Sequence, residues 1–292
     1  MKIKKGIMLH NQLPDGFEAI SINSGTVFHT EQETDEVRFG EWAFVPQYEE
    51  DAYVTKRDWR KLTQQEIRCL QSNDNRKDHN TIYVGDIPTK LRKQFEQFDL
   101  YECKNREEVL RKFRESPEKT HAMSKAMDEF LQPLSGGKPF HFHCLAANLP
   151  NIEMVACDTT SMPADHSELD KKYMGIHNDG TQYVTPYATH KLGNRLTINL
   201  GKDTRSFLFV NLSLAQALNM LKKKIDVVKH QIDIINISKY FFKYFPDYPV
   251  IKIRQKPYQY YIAPTDNCFH DGSTLGNKEL DIIIVYFGAF QC

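Results

Sequence analysis

The chain carries no excess charge of either sign: Lys plus Arg and Asp plus Glu each total 38 in 292 residues. Without bulk positive potential there is no general pull towards nucleic acid or an anionic membrane, so neither is an expected partner. Cysteine is sparse and unpatterned. The six, Cys69, Cys103, Cys144, Cys157, Cys268 and Cys292, contain no C-x-x-C pair, which argues against a zinc ribbon and a disulfide framework and leaves reduced thiols. Long apolar runs are missing as well. The opening MKIKKGIMLHNQLPDG has basic residues but no apolar stretch of signal-peptide length, and no later stretch approaches a membrane span. A soluble, cytoplasmic protein is the expectation, with nothing in the sequence to set its oligomeric state. Internal repeats and low-complexity segments are also absent. What is present is 40% hydrophobic residues, enough for a large core, and the 292 residues are read as one domain.

From Lys2 to about Val45 the pattern is short and β-like, punctuated by Pro14-Asp15-Gly16 and Ser24-Gly25. Asp58 to Ser72 places Trp59, Leu62, Ile67 and Leu70 at helical spacing, with Thr55 as a candidate cap. A polar loop at 73–80 follows, then helices at about 88–98, 106–114 and 119–134, the last ended by Ser135-Gly136-Gly137. Their apolar stripes need a sheet to cover, which predicts helices on one face of a mostly antiparallel sheet. From Lys138, PFHFHCLAANL alternates like a strand buried on both faces. His141 and His143 share one side of it and are read as lining a cavity or the surface, because no acidic partner is near in sequence. Residues 156–173 are polar and irregular, long enough to be a functional loop. Strand RSFLFVNLS leads into helix SLAQALNMLKKK, whose Lys222, Lys223 and Lys224 form a solvated end suited to the helix dipole. Helix IINISKYFFKYFPD stops at Pro246, and VIKIRQKP, YQYYIAP and LDIIIVYFGAF read as three strands.

The chemistry concentrates in IHNDGTQYVTPYATHKLGNRLTINL, residues 176–200. It holds an imidazole and a carboxylate two apart, His177 and Asp179, a spacing that converges on one point where a strand ends and the chain curls. Two imidazoles and one carboxylate on one face, with the opposite face open, make a catalytic iron site. The pair alone is weak: random placement of 11 His and 38 acidic residues supplies about one to two such pairs, and His29/Glu31 and His166/Glu168 also occur. Context separates them. His29 lies in an acidic surface-like run and His166 in the polar loop, whereas His177 and Asp179 follow apolar Tyr173, Met174 and Ile176 and precede Gly180 and a core strand. The candidate third ligand is His270, in NCFHDGSTLG.

HNDGT, then NRLTINL, then APTDNCFHDGS before a closing apolar strand, resembles the core of the Fe(II)- and 2-oxoglutarate-dependent oxygenases. The likeness covers roughly the C-terminal 120 residues. It implies an α+β fold built on a double-stranded β-helix, jelly-roll or cupin-like, with supporting strands and helices in 1–137, the core in 138–292, and a helical insertion at about 213–245. It implies that His177, Asp179 and His270 bind iron, with 2-oxoglutarate and O2 as cosubstrates. The carboxylate Asp179 favours hydroxylation over halogenation. The usual cosubstrate cation, about ten residues beyond the distal His, is missing, since no Arg follows Arg254. Arg195 ranks first in its place, then Lys278 assisted by Ser273 or Thr274, with Lys191 a further candidate. The polar loop, with Asp158, Thr159, Thr160, Asp165 and His166, points to a small polar substrate such as an amino acid or a derivative. Rival readings are a JmjC-like protein or peptide hydroxylase, a non-catalytic cupin-like binding module, and an enzyme that uses the metal without 2-oxoglutarate.

Overall fold

A computed structural model describes residues 2–72, 80–160, 162–163, 166–180 and 183–291. Of the features read from sequence, most of the polar loop (73–79), Asp165 and Cys292 lie outside these residues. In chain order the strands of the two large sheets are β1 (Met8–Asn11), β2 (Ile20–Ile22), β3 (Arg60–Lys61), β4 (Thr81–Asp86), β5 (Phe140–Asn148), β6 (Asn194–Asn199), β7 (Arg205–Ser213), β8 (Ile251–Gln255), β9 (Gln259–Ala263), β10 (Cys268–Ser273) and β11 (Asp281–Gly288). The six-stranded sheet runs β1-β4-β9-β6-β11-β5 and the five-stranded sheet β10-β7-β8-β2-β3. Every pairing within them is antiparallel except β1 with β4.

From β5 onward the chain passes back and forth between the sheets: β5 and β6 in the first, β7 and β8 in the second, then β9, β10 and β11 alternating. His177 extends the free edge of β10, because its N–H donates to the His270 carbonyl (3.1 Å) and His270 N–H returns the bond (2.7 Å). Successive side chains of a strand point to opposite faces, so apolar residues on both faces of β7 are buried on both. Phe207 and Phe209 face inward, where Phe207 stacks on Tyr261 of β9 at 4.0 Å, in a cluster with Ile20, Ile22, Val84 and Ile253 that fills one end of the space between the sheets. Leu208, Val210 and Leu212 belong to the larger cluster, which includes the helices.

The helices are α1 (Gln64–Leu70), α2 (Thr89–Glu96), α3 (Arg106–Arg114), α4 (Pro117–Ser135), α5 (Leu214–Leu221) and α6 (Ile237–Tyr244). Phe130 of α4 meets Tyr260 of β9 edge-on at 5.4 Å, and Phe241 and Phe242 of α6 pack on Phe269 of β10 at 5.1 and 5.2 Å. The N-terminal helices thus cover the first sheet and the expected helical insertion covers the second. None of the described helices is long and apolar enough to cross a membrane.

Two expectations need correction. The helix read at 58–72 is shorter, since Arg60 pairs with Ile22 in a ladder and the helix starts only after Thr63. Thr63 and Glu66 form a reciprocal capping box there, while Thr55 is buried in a ladder opposite Thr26. Nor is β5 buried on both faces. It is the edge of its sheet, and His141, Phe142 and His143 are exposed.

Candidate metal centre

Gly175 sets the approach to the centre. Its φ is +70° and a Cβ would collide with the Tyr53 carbonyl, so the turn into Ile176-His177 requires glycine. The His177 ring is then fixed by Nδ1, which donates to the Gly175 carbonyl at 2.9 Å. His270, on β10 opposite, repeats the device with Nδ1 at 3.3 Å from the Cys268 carbonyl. A backbone carbonyl on Nδ1 selects the tautomer whose Nε2 lone pair is free, the form that binds a metal.

Asp179 completes the group. Its N–H bonds the Thr265 carbonyl at 3.2 Å, its Oδ1 lies 3.7 Å from His177 Nε2, and its Oδ2 lies 3.6 Å from His270 Nε2. All three donor atoms fall within 4.8 Å of one another, and among the described residues they are the group of three metal-binding side chains so arranged. Burial opposes charge on Asp179, but His270, His177 and Arg195 outweigh it and hold the carboxyl far below its ordinary range. Burial pushes His270 down to about 4 against the attraction of Asp179, keeping it neutral at physiological pH. For His177, Asp179 and Asp271 outweigh burial and favour the proton; a divalent ion would take that proton's place. The donor set fits a transition metal with two imidazoles and a carboxylate on one side and the cavity on the other.

That cavity, of about 500 Å³, lies between the sheets. Arg205, at the start of β7, reaches its wall from a position 1% exposed. Its Nε donates to Asp281 at 3.0 Å and its Nη1 to Gln255 at 3.1 Å. Gly272 makes room, because a Cβ there would strike Arg205 Nη2. The hydroxyl residues Thr197 and Tyr261 line the same wall. Arg205 was not among the sequence candidates, although there was a signal: it opens an otherwise apolar strand, as Asp281 does, and two such charges invite pairing.

The other nominated residues disperse. Arg195 lines the cavity but its Nη1 is occupied by Asp179 and Thr265, with Asp266 at 3.4 Å and the Phe287 ring 5.5 Å away. Lys191 and Lys278 are exposed and do not line the cavity. Thr274 is buried and its hydroxyl donates to the carbonyls of Leu149 and Ile152, fastening that loop to the end of β10. Ser273 Oγ lies 3.5 Å from the Ile152 carbonyl. His166 sits at the cavity mouth with Nδ1 on the Pro163 carbonyl, and His29 is in a short 3-10 turn elsewhere.

One further residue escaped the sequence reading. Asp271 is 1% exposed, and its Oδ1 accepts from the N–H groups of Ala156 (3.1 Å), Val155 (3.3 Å) and Gly272 (2.6 Å). Its Oδ2 is buried without a hydrogen-bond partner, 3.9 Å from His177 Nδ1. Burial pushes its pKa up to about 6. Position alone gave no hint, because an acid beside His270 in NCFHDGS reads equally well as a turn residue.

No family model matches the chain, and no curated protein matches it. Among solved structures it is similar to those of the Kdo hydroxylase KdoO, described as a non-heme Fe(II) alphaketoglutarate dependent dioxygenase. The complex with cobalt(II) gives a TM-score of 0.39 at 10% identity. The complex with alphaketoglutarate and Fe(III) gives 0.40 at 10%, and that with succinate and Fe(III) 0.37 at 12%. Each match covers 71% of this chain and 78% of that one. So distant a likeness decides nothing about chemistry, and the reading of the centre rests on its own side chains.

Proposed function

We propose that the protein is an Fe(II)- and 2-oxoglutarate-dependent dioxygenase that hydroxylates a small polar molecule. The observation that carries this reading is the convergence of His177 Nε2, His270 Nε2 and the Asp179 carboxylate at the wall of a cavity between two sheets. The passage of the chain between those sheets from β5 to β11, with His177 added to the edge of β10, supports a double-stranded β-helix. In that frame a ligand pair at the edge and a third ligand on the neighbouring strand meet without a long loop.

His177, Asp179 and His270 would hold the iron. Bound there, it would couple oxidative decarboxylation of 2-oxoglutarate to succinate with hydroxylation of the substrate by O2. The protein positions and neutralises. Arg195 grips one oxygen of Asp179 and so orients the carboxylate. We assign the cosubstrate's distal carboxylate to Arg205, whose Nε and Nη1 are held by Asp281 and Gln255 while its Nη2 lies beside Gly272 on the cavity wall; Arg195 instead serves the ligand Asp179, with Thr265 and Asp266. The hydroxyls of Thr197 and Tyr261 flank that wall and suit the same carboxylate. The aliphatic Ile283 and Val285 line the cavity as well and limit water there.

The test is iron-dependent formation of succinate from 2-oxoglutarate, with ascorbate, across a panel of small polar substrates. Turnover that disappears in His177→Ala and Asp179→Ala supports the proposal. No turnover together with no iron binding would leave a cupin-like binding module.

A further inference from the structure

The cavity is charged unevenly. Its two carboxylates, Asp179 and Asp271, belong to the imidazole end, whereas its more exposed wall carries the cations Arg106 and Lys171 beside the imidazoles of His166 and of His143, in which burial and Arg195 disfavour the proton. Most of the cations are already matched: Arg205 by Asp281, Arg195 by Asp179 and Asp266, and Lys171 by Glu168 at 2.5 Å. Arg106 is different. It is exposed, opens α3, and makes no hydrogen bond or ion pair with any described residue. Its acidic neighbours are engaged elsewhere, Glu107 with Arg114 and Glu108 with the Lys104 N–H at 2.6 Å. On the other side of the 174–178 segment the cleft is lined by Glu49, Asp51 and Asp158, of which Asp51 pairs with the lining Lys239 at 2.6 Å, so acids exceed cations there.

With metal and 2-oxoglutarate in place, one cosubstrate carboxylate would lie on the ion and the other on Arg205. The guanidinium of Arg106 would still face the mouth without a counter-charge. We propose that the substrate carries a carboxylate or phosphate group that docks on Arg106, flanked by the imidazoles of His143 and His166, while its oxidised carbon reaches towards His177, Asp179 and His270. This inference rests on the oxygenase reading. A guanidinium recognises both oxyanions through paired N–H donors, and a cavity of about 500 Å³ suits a small molecule.

The experiment is calorimetric titration of the protein, loaded with zinc in place of iron and saturated with 2-oxoglutarate, using inorganic phosphate in one arm and malonate in the other. One anion per chain is expected. Affinity should fall at least about threefold in Arg106→Gln, as for an exposed charge pair, and binding should vanish in Arg106→Glu. The tighter arm identifies the oxyanion. Arg92→Gln, whose side chain pairs with Glu96 outside the cavity, should bind as the parent does. No anion binding, or equal affinity in the parent and both Arg106 variants, overturns the proposal. Zinc and 2-oxoglutarate are titrated in the same proteins. If they bind and the anion does not, only the subsite fails. If they do not bind, the oxygenase reading fails, and an anion still held by Arg106 is then no substrate group.

Discussion

At the scale of single residues, the centre is governed by what stands behind each ligand. His177 is held on one side by the Gly175 carbonyl and faced by the buried Oδ2 of Asp271 at 3.9 Å. The hydrogen-bonded partner that fixes the ring is the Gly175 carbonyl; the charge of Asp271 beside it raises the ring's basicity without a hydrogen bond. Asp271→Asn keeps the size and the Oδ1 acceptor and removes only this charge, so it should weaken Fe(II) binding in a chelator competition by up to about tenfold, the low end of what a hydrogen-bonded partner contributes. Unchanged affinity would reduce Asp271 to a clasp for the 155–156 backbone. The two arginines separate in the same way. Arg205→Gln should raise the 2-oxoglutarate requirement about tenfold or more with little change in iron affinity, whereas Arg195→Gln should weaken iron binding through a loosened Asp179. Titrating each ligand separately distinguishes the two outcomes. His177 and Asp179 could be picked out in the sequence because the pair precedes a core strand. For Arg205 the sequence offers only a charge at the start of a strand, because its partners Gln255 and Asp281 lie 50 and 76 residues away and meet it only once the sheets form.

At the scale of elements, local chemistry and tertiary pairing contend, and the clearest case is α1. Periodicity spreads a helix over 58–72, but sheet pairing takes Arg60 and Lys61, and the Thr63–Glu66 capping box places the start at Gln64. Arg60 also grips Glu66, at 2.9 and 2.7 Å, which with the Thr63 bonds lowers the Glu66 pKa to about 2. The folded pKa lies below the ordinary 4.5, so the contribution is present above that value and is lost as pH falls towards 2. Thermal melts of Glu66→Gln should lie below those of the parent at pH 6, and the gap should close as the pH drops from 4.5. A gap independent of pH would mean that the charge does not matter. Helices with internal periodicity were legible, α3 to the residue. The misreading of β5 has another cause, since alternation cannot tell an edge strand from an interior one; that depends on which strand arrives beside it.

At the scale of the whole molecule, the space between the sheets has a filled end and an open end. Phe207 and Phe209 pack the first, His177, Asp179, His270 and Arg205 line the second, and Tyr261 stands between, stacked on Phe207 and lining the cavity. Truncating Phe207, which is fully buried and stacked on Tyr261, should cost about 3–5 kcal/mol. Denaturant unfolding of Phe207→Ala checks this, and a loss under 1 kcal/mol would mean that the closed end is not packed as described. The alternation of strands that builds both ends is only partly legible: β4 and β10 do not read as strands, since Gly272 in NCFHDGS reads as a turn, and for the strands that can be seen the sequence does not say which sheet takes them. The central claim concerns the open end, that three side chains form a single iron site. Anaerobic equilibrium dialysis against Fe(II) tests it most directly. One ion per chain, lost in His177→Ala, Asp179→Ala and His270→Ala but kept in His166→Ala, is the predicted result. Binding that survives all three ligand substitutions, or is lost only with His166, would contradict the account.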